Sequence, residues 1–94
     1  GITLIVVPHT EGIQFSVTTD TPRRFYAQVD TTMGSVDMFE FDLQPGQTFA
    51  RIVNVQGPGT ATVRMWASDD GVGPVATQSI RLPGAQVFLP VMLR

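Results

Sequence analysis

Apolar and polar residues alternate almost one for one along short stretches of this chain, and clusters of Gly, Pro and Asp interrupt the stretches. In 13–19, Ile13, Phe15 and Val17 occupy one parity, and Gln14, Ser16 and Thr18 the other. Phe25, Ala27 and Val29 oppose Arg24, Tyr26, Gln28 and Asp30. Phe39, Phe41 and Leu43 oppose Met38, Glu40 and Asp42. Ala61, Val63, Met65 and Ala67 oppose Thr62, Arg64, Trp66 and Ser68. Successive side chains of an extended strand leave on opposite sides, so a period of two gives each stretch one buried and one wet face. Antiparallel sheets with water on one side show this pattern.

The interruptions fall at Pro8 to Gly12, Asp20-Thr21-Pro22, Thr31 to Gly34, Gln44-Pro45-Gly46, Gln56-Gly57-Pro58-Gly59, Asp69-Asp70-Gly71-Val72-Gly73 and Pro83-Gly84. The stretches between them run about 6–9 residues, right for strands and too short for most helices. They are rich in Val, Thr, Ile and Phe, which fit a pleated, half-buried surface. Eight strands are expected, over 2–7, 13–19, 23–30, 36–43, 48–55, 61–68, 75–82 and 86–93. Their even spacing predicts an all-β fold: an immunoglobulin-like antiparallel β-sandwich of seven to eight strands. At 94 residues the chain is expected to form a single domain, 1–94.

Three segments depart from the pattern. The stretches 2–7 and 87–93 are apolar on both parities, and such strands need cover on both faces. Either each sits at a sandwich corner and packs both ways, or one of them meets a neighbouring domain or subunit. Pro90 removes a ladder donor, so the last strand is expected at an edge or bulged. The stretch 48–55 is ambiguous, because Arg51 shares a parity with Phe49, Val53 and Val55, while Ala50 and Ile52 take the other. The expected core is Leu4, Val6, Phe15, Val17, Phe25, Ala27, Val29, Phe39, Phe41, Leu43, Ile52, Val63, Met65, Ile80 and Leu82.

Composition narrows the functions. Hydrophobic residues at 43% and charged residues at 15% exclude a disordered chain. Six basic against eight acidic residues leave a net charge of −2. With no excess to neutralise phosphates, nucleic acid is not an expected partner. Cysteine is absent, which removes disulfides, thiolate nucleophiles and cysteine-based zinc sites. Lysine is absent too, which removes Schiff-base chemistry and Walker-type phosphate binding. No run approaches the ~18 apolar residues of a membrane span. The opening Gly1-Ile2-Thr3-Leu4-Ile5-Val6-Val7 is short and has no basic leader, so no signal peptide is expected there. A start at Gly is expected to reflect processing, or excision from a longer polypeptide.

The run Leu43-Gln44-Pro45-Gly46-Gln47-Thr48, followed by Gly57-Pro58-Gly59-Thr60-Ala61-Thr62-Val63-Arg64, resembles the later half of bacterial immunoglobulin-like and fibronectin type III-like (CARDB-type) modules. In those modules a Leu-x-Pro-Gly-x-Thr turn opens one strand, Gly-Thr-Ala-Thr-Val opens the next, and an acidic-Gly hairpin follows. Asp69-Asp70-Gly71-Val72-Gly73 fits that hairpin, and the likeness covers about residues 36–82. The chain departs from it in its first and last strands, and it lacks the core Trp and the disulfide of antibody domains. Its closing Val87-Phe88-Leu89-Pro90-Val91-Met92-Leu93-Arg94 is similar to tails on some secreted bacterial proteins. The resemblance implies an extracellular or cell-surface accessory or spacer module.

Candidate chemistry is sparse. His9 and Glu11 form His-x-Glu in a turn, two ligands where a metal needs three or four. No metal and no cofactor are expected. Asp69-Asp70-Gly71 reads as a hairpin tip, since the spaced ladder of a calcium loop is missing. Glu40 and Asp42 share a solvated face, with no pocket to tune them for acid–base work. Arg23 and Arg24 flank a turn, and Arg24 has carboxylates within reach.

Trp66 carries the most information. Alternation places it on an outer face beside Arg64, with Tyr26 outward on another strand. Aromatic residues with Arg are enriched at protein interfaces, and an open aromatic face also suits sugar rings. Burial under a loop or the last strand, or stacking on Arg64, would instead make Trp66 structural.

The expected function is therefore non-catalytic: a structural or protein-interaction module of a larger secreted or cell-surface bacterial protein. Its binding residues would be Trp66, Tyr26 and Arg64, and its partners neighbouring domains or another protein. Two alternatives stand beside it. One is a small carbohydrate-binding module using the exposed aromatic face. The other is a self-assembling surface subunit, a homo-oligomer joined through its terminal strands.

Overall fold

Among the described residues, turn clusters separate seven strands. A computed structural model of the chain describes residues 1–67 and 73–83. The strands are β1 (Ile2–His9), β2 (Gly12–Thr19), β3 (Arg23–Thr31), β4 (Gly34–Leu43), β5 (Phe49–Asn54), β6 (Gly59–Ala67) and β7 (Ala76–Leu82). They form two antiparallel sheets, ordered β1-β2-β5 and β4-β3-β6-β7. No helix occurs among the described residues. The architecture is an all-β sandwich, compatible with an immunoglobulin-like one. The expected eighth strand at 86–93 and the acidic hairpin tip at 69–71 lie outside the described residues.

The connections explain the topology. His9 pairs with Gly12, so Thr10 and Glu11 alone form the β1–β2 hairpin loop. Gly12 has φ +145°, and a Cβ there would strike the Val53 carbonyl and lie 2.5 Å from the Val55 nitrogen. Only glycine fits such a conformation and such an approach. At the far end of β2 the Thr19 hydroxyl is buried, donating to the Thr21 carbonyl at 2.9 Å and facing the Thr21 N–H at 3.3 Å. This local bond turns the chain towards Pro22 and into the second sheet.

The β3–β4 hairpin returns beside β3, with a bulge: Val29 pairs with Asp37, but Asp30 pairs with Ser35. Val36 is the extra residue, and it is exposed. Bulges bend a strand and re-aim its side chains. Here the bulge leaves Asp37 on the inward parity and Ser35 on the outward one.

The core lies between the sheets and is dominated by phenylalanine. Phe15 and Phe49 come from one sheet, and Phe25, Phe39 and Phe41 from the other. Phe41 and Phe49 stack across the gap at 3.9 Å and 7° between ring planes. Phe15 lies 5.7 Å from Phe39, and Phe25 lies 5.6 Å from Phe41. Ile13, Val17, Val29, Val63 and Met65 complete the dry centre. Burying each such side chain contributes about 1.5–3 kcal/mol. Of the other expected core residues, Leu4, Ala27, Leu43 and Leu82 are buried, and Val6, Phe39 and Ile80 pack against the core half-buried.

Strand β5 corrects one expectation. Ile52 is not core: it is 47% exposed on the outer side of its sheet. Val53 and Val55 are buried instead. The inward parity of β5 is the one that carries Arg51, and the structure shows why it tolerates a charge. The Arg51 guanidinium lies 4.1 Å from the centre of the Phe39 ring and pairs with Asp37 of the opposite sheet at 3.0 Å. The side chain leaves the core at its rim, where the stem packs and the charge stays wet.

Candidate functional site

The outward parities of β3, β4, β6 and β7 form one continuous face. Register sets its rows. Tyr26 stands between Glu40 and Trp66, and Gln28 between Met38 and Arg64, followed by Thr77. Asp30 stands between Ser35 and Thr62, followed by Ser79. The three residues expected to form a binding surface, Trp66, Tyr26 and Arg64, are therefore neighbours on adjacent strands.

The Tyr26 and Trp66 rings meet at 5.5 Å, tilted 47° to each other. Aromatic pairs directly opposite in a ladder contribute about 0.5–1.5 kcal/mol beyond their buried area. Both residues are half-buried, each covering one flank of the other. The Tyr26 hydroxyl donates to the Met38 sulfur at 3.1 Å. Met38 itself is 58% exposed, which extends the aromatic pair into an apolar strip at the β4 edge. Trp66 thus packs on Tyr26, and the cation–π pair that the structure holds among its described residues is that of Arg51 on Phe39.

Arg64 turns the other way, its Nη1 donating to Asp30 Oδ2 at 2.6 Å. The same carboxylate accepts from Gln28 Nε2 at 2.8 Å and from the Ser35 hydroxyl at 2.6 Å. Ser35 and Gln28, and then the Arg64 charge, hold the Asp30 carboxyl below the usual carboxylate range. At the opposite end of the face, Arg24 bridges Asp42 at 3.1 Å and Glu40 at 3.2 Å. All three side chains there are about half exposed or more, so this bridge adds little stability. Its effect is on the field: on this face Arg24, Arg64 and Arg81 balance Asp30, Glu40 and Asp42. Among the described residues the charges of this face balance, and the aromatic pair lies between the Arg24 and the Asp30–Arg64 clusters.

Asp30 and Met38 were not among the sequence candidates. Asp30 is 34 positions from Arg64, and only the β3–β6 register brings them together. Met38 shared the outward parity with Glu40, and the β3–β4 register would have placed it near Tyr26.

The opposite outer face differs in kind. Ile5, Val7 and Ile52 protrude from it at 53%, 41% and 47% exposure, among Gln14, Ser16 and Ala50. Its outward positions across 3–7, 14–18 and 50–54 carry no charge. At one end of this sheet a cleft of about 280 Å³ opens between His9, Gly12, Val55, Gly57 and Pro83. His9 is occupied locally, its Nδ1 accepting the Glu11 N–H at 3.0 Å. Among the described residues no three His, Asp or Glu side chains converge as a metal site, and no helix is long and apolar enough to cross a membrane.

Comparison with protein-family models, with curated proteins and with solved structures found no match to this chain.

Proposed function

We propose that this domain is a non-catalytic structural or protein-interaction module of a larger secreted or cell-surface protein. Its contact surface is the Tyr26–Trp66 face. The observation that carries this reading is the pairing within that face. Two of its arginines already have carboxylate partners, Asp30 for Arg64 and Glu40 and Asp42 for Arg24, and the two rings pack against each other at 5.5 Å. Protein interfaces favour an aromatic centre depleted of free charge with a polar rim. A sugar platform needs exposed ring faces, and here the rings are tilted and half-buried against each other.

The finer assignment, to bacterial immunoglobulin-like or fibronectin type III-like modules, draws support from the strand order. In the constant-type immunoglobulin arrangement the fourth strand joins the sheet of strands one, two and five. In this chain β4 stays beside β3, giving three strands over four. The extracellular setting rests on the same likeness and belongs to the proposal.

Trp66 is the single tryptophan, so its emission reports on this face alone. Titration with a panel of soluble polysaccharides should leave its wavelength and intensity unchanged. Joining the domain to the segments of its parent polypeptide should shift the emission to the blue. A saturable change with one glycan would replace this reading by carbohydrate binding. Concentration-dependent blue shift of the isolated domain would replace it by self-assembly.

A further inference from the structure

We propose that Met38 is a modification site: a peroxide oxidises its thioether to the sulfoxide, and Tyr26 carries the change to Trp66. The chain has four methionines, and the fold separates them. Met65 is fully buried in the core, and Met92 lies outside the described residues. Met33 is 90% exposed at the tip of the β3–β4 hairpin, several rows from Tyr26. Met38 is 58% exposed on the outward parity of β4, and its sulfur accepts the Tyr26 hydroxyl at 3.1 Å. Among the described methionines it alone is both open to solvent and bonded to the aromatic pair.

The chemistry needs only an oxidant that reaches the sulfur. A sulfur lone pair attacks one oxygen of hydrogen peroxide. The S–O bond forms as the O–O bond breaks, and sulfur gives up two electrons. The other oxygen leaves as hydroxide and takes the proton of the attacked oxygen, so the products are the sulfoxide and water. A thioether is a weak acceptor, whereas the sulfoxide is polar. The Tyr26 hydroxyl then finds its better acceptor at the new oxygen rather than at sulfur. Re-aiming that hydroxyl turns the phenol ring, and the ring packs on Trp66 at 5.5 Å. The same step puts a polar group into the apolar strip at the β4 edge. Its consequence for a partner rests on the contact reading above, but the modification itself does not.

The absence of cysteine and the single tryptophan make the test direct. The full chain is treated with dilute hydrogen peroxide, and peptide mass mapping follows oxygen uptake at each methionine separately. Met38 should react at least about tenfold faster than the buried Met65. Trp66 emission should shift to the red in step with Met38, and a methionine sulfoxide reductase should restore it. In Met38→Leu the same treatment should leave the emission unchanged, although Met33 still reacts. In Tyr26→Phe the sulfur should still be oxidised, with a several-fold smaller shift. Both substitutions keep apolar bulk in place, so neither threatens folding. Uptake at Met38 no faster than at Met65 would overturn the proposal. So would an unchanged emission when Met38 is oxidised, or a full shift in Met38→Leu or Tyr26→Phe. No partner is present in this experiment, so its failure and the failure of the contact reading are distinguishable.

Discussion

Arg51 offers the sharpest test of how the sheets are phased. Its parity on β5 faces the core, and its guanidinium touches two groups of the opposite sheet. Phe39 lies beneath it at 4.1 Å, within the ~6 Å range of cation–π attraction. Asp37 pairs with it through Nε and Nη2, each at 3.0 Å from Oδ2. Arg51 is 42% exposed and Asp37 27%, so each contact belongs at the modest end of its range. The ring contributes about 0.5–1 kcal/mol, and the ion pair about 0.5–1 kcal/mol. Arg51→Met keeps the stem packed and removes both contacts, so it should cost about 1–2 kcal/mol. For a domain of this size that lowers the midpoint of thermal unfolding by roughly 4–8 °C per kcal/mol. A double-mutant cycle with Asp37→Asn, read by urea denaturation, isolates the ion pair. Its coupling should be about 0.5–1 kcal/mol at low salt and should shrink at ~1 M salt, where the screening length is near 3 Å. The ring part should survive the salt and vanish in Phe39→Leu. A cycle with no coupling, together with a neutral Arg51→Met, would refute the inward placement of this parity.

Other outcomes follow from burial, backbone and charge. Phe15→Ala empties the junction between Phe39 and Phe49 and should cost about 3–5 kcal/mol, a large share of the ~5–15 kcal/mol that holds a domain; its far-ultraviolet circular dichroism at 37 °C checks this. Gly12→Ala forces a Cβ into the Val53 carbonyl at φ +145° and should cost more than about 1 kcal/mol by urea midpoint, with no loss of surface contact. Asp30→Asn weakens the hydrogen bonds from Ser35, Gln28 and Arg64 and should cost about 1–2 kcal/mol at pH 7. The folded Asp30 is more acidic than the unfolded one, so its stabilisation is complete above the unfolded value near ~3.9 and fades as pH falls through the folded value. The stability gap between wild type and Asp30→Asn should therefore close on acidification below pH ~4 in urea titrations, and a gap that widens there would be the wrong sign.

The strands were legible in the sequence because two local signals agree. Turn residues fix where a strand ends, and parity fixes which side is wet. Trp66 and Tyr26 fell on the outer face by parity alone. Strand β5 was misread at Ile52 because Arg51 breaks the parity rule, and the rule cannot see a rim where a long side chain escapes. The weight of Phe49, Val53 and Val55 on one parity was the better guide. The Asp30–Arg64 pair and the Met38 contact with Tyr26 depend on register between strands, and register is set by loop geometry and the bulge after Val29. Neither leaves a mark on the local pattern.

The two outer faces meet water in different ways. On the Trp66 face Arg24 and Arg64 have carboxylate partners and the two rings pack on each other. On the Ile5–Val7–Ile52 face nothing repels another sheet. No charge stands there, and uncharged polar side chains, Thr3, Gln14, Ser16, Thr18 and Asn54, separate the apolar ones. The face proposed above as the contact surface is the one where sequence parity had already placed Trp66 and Tyr26.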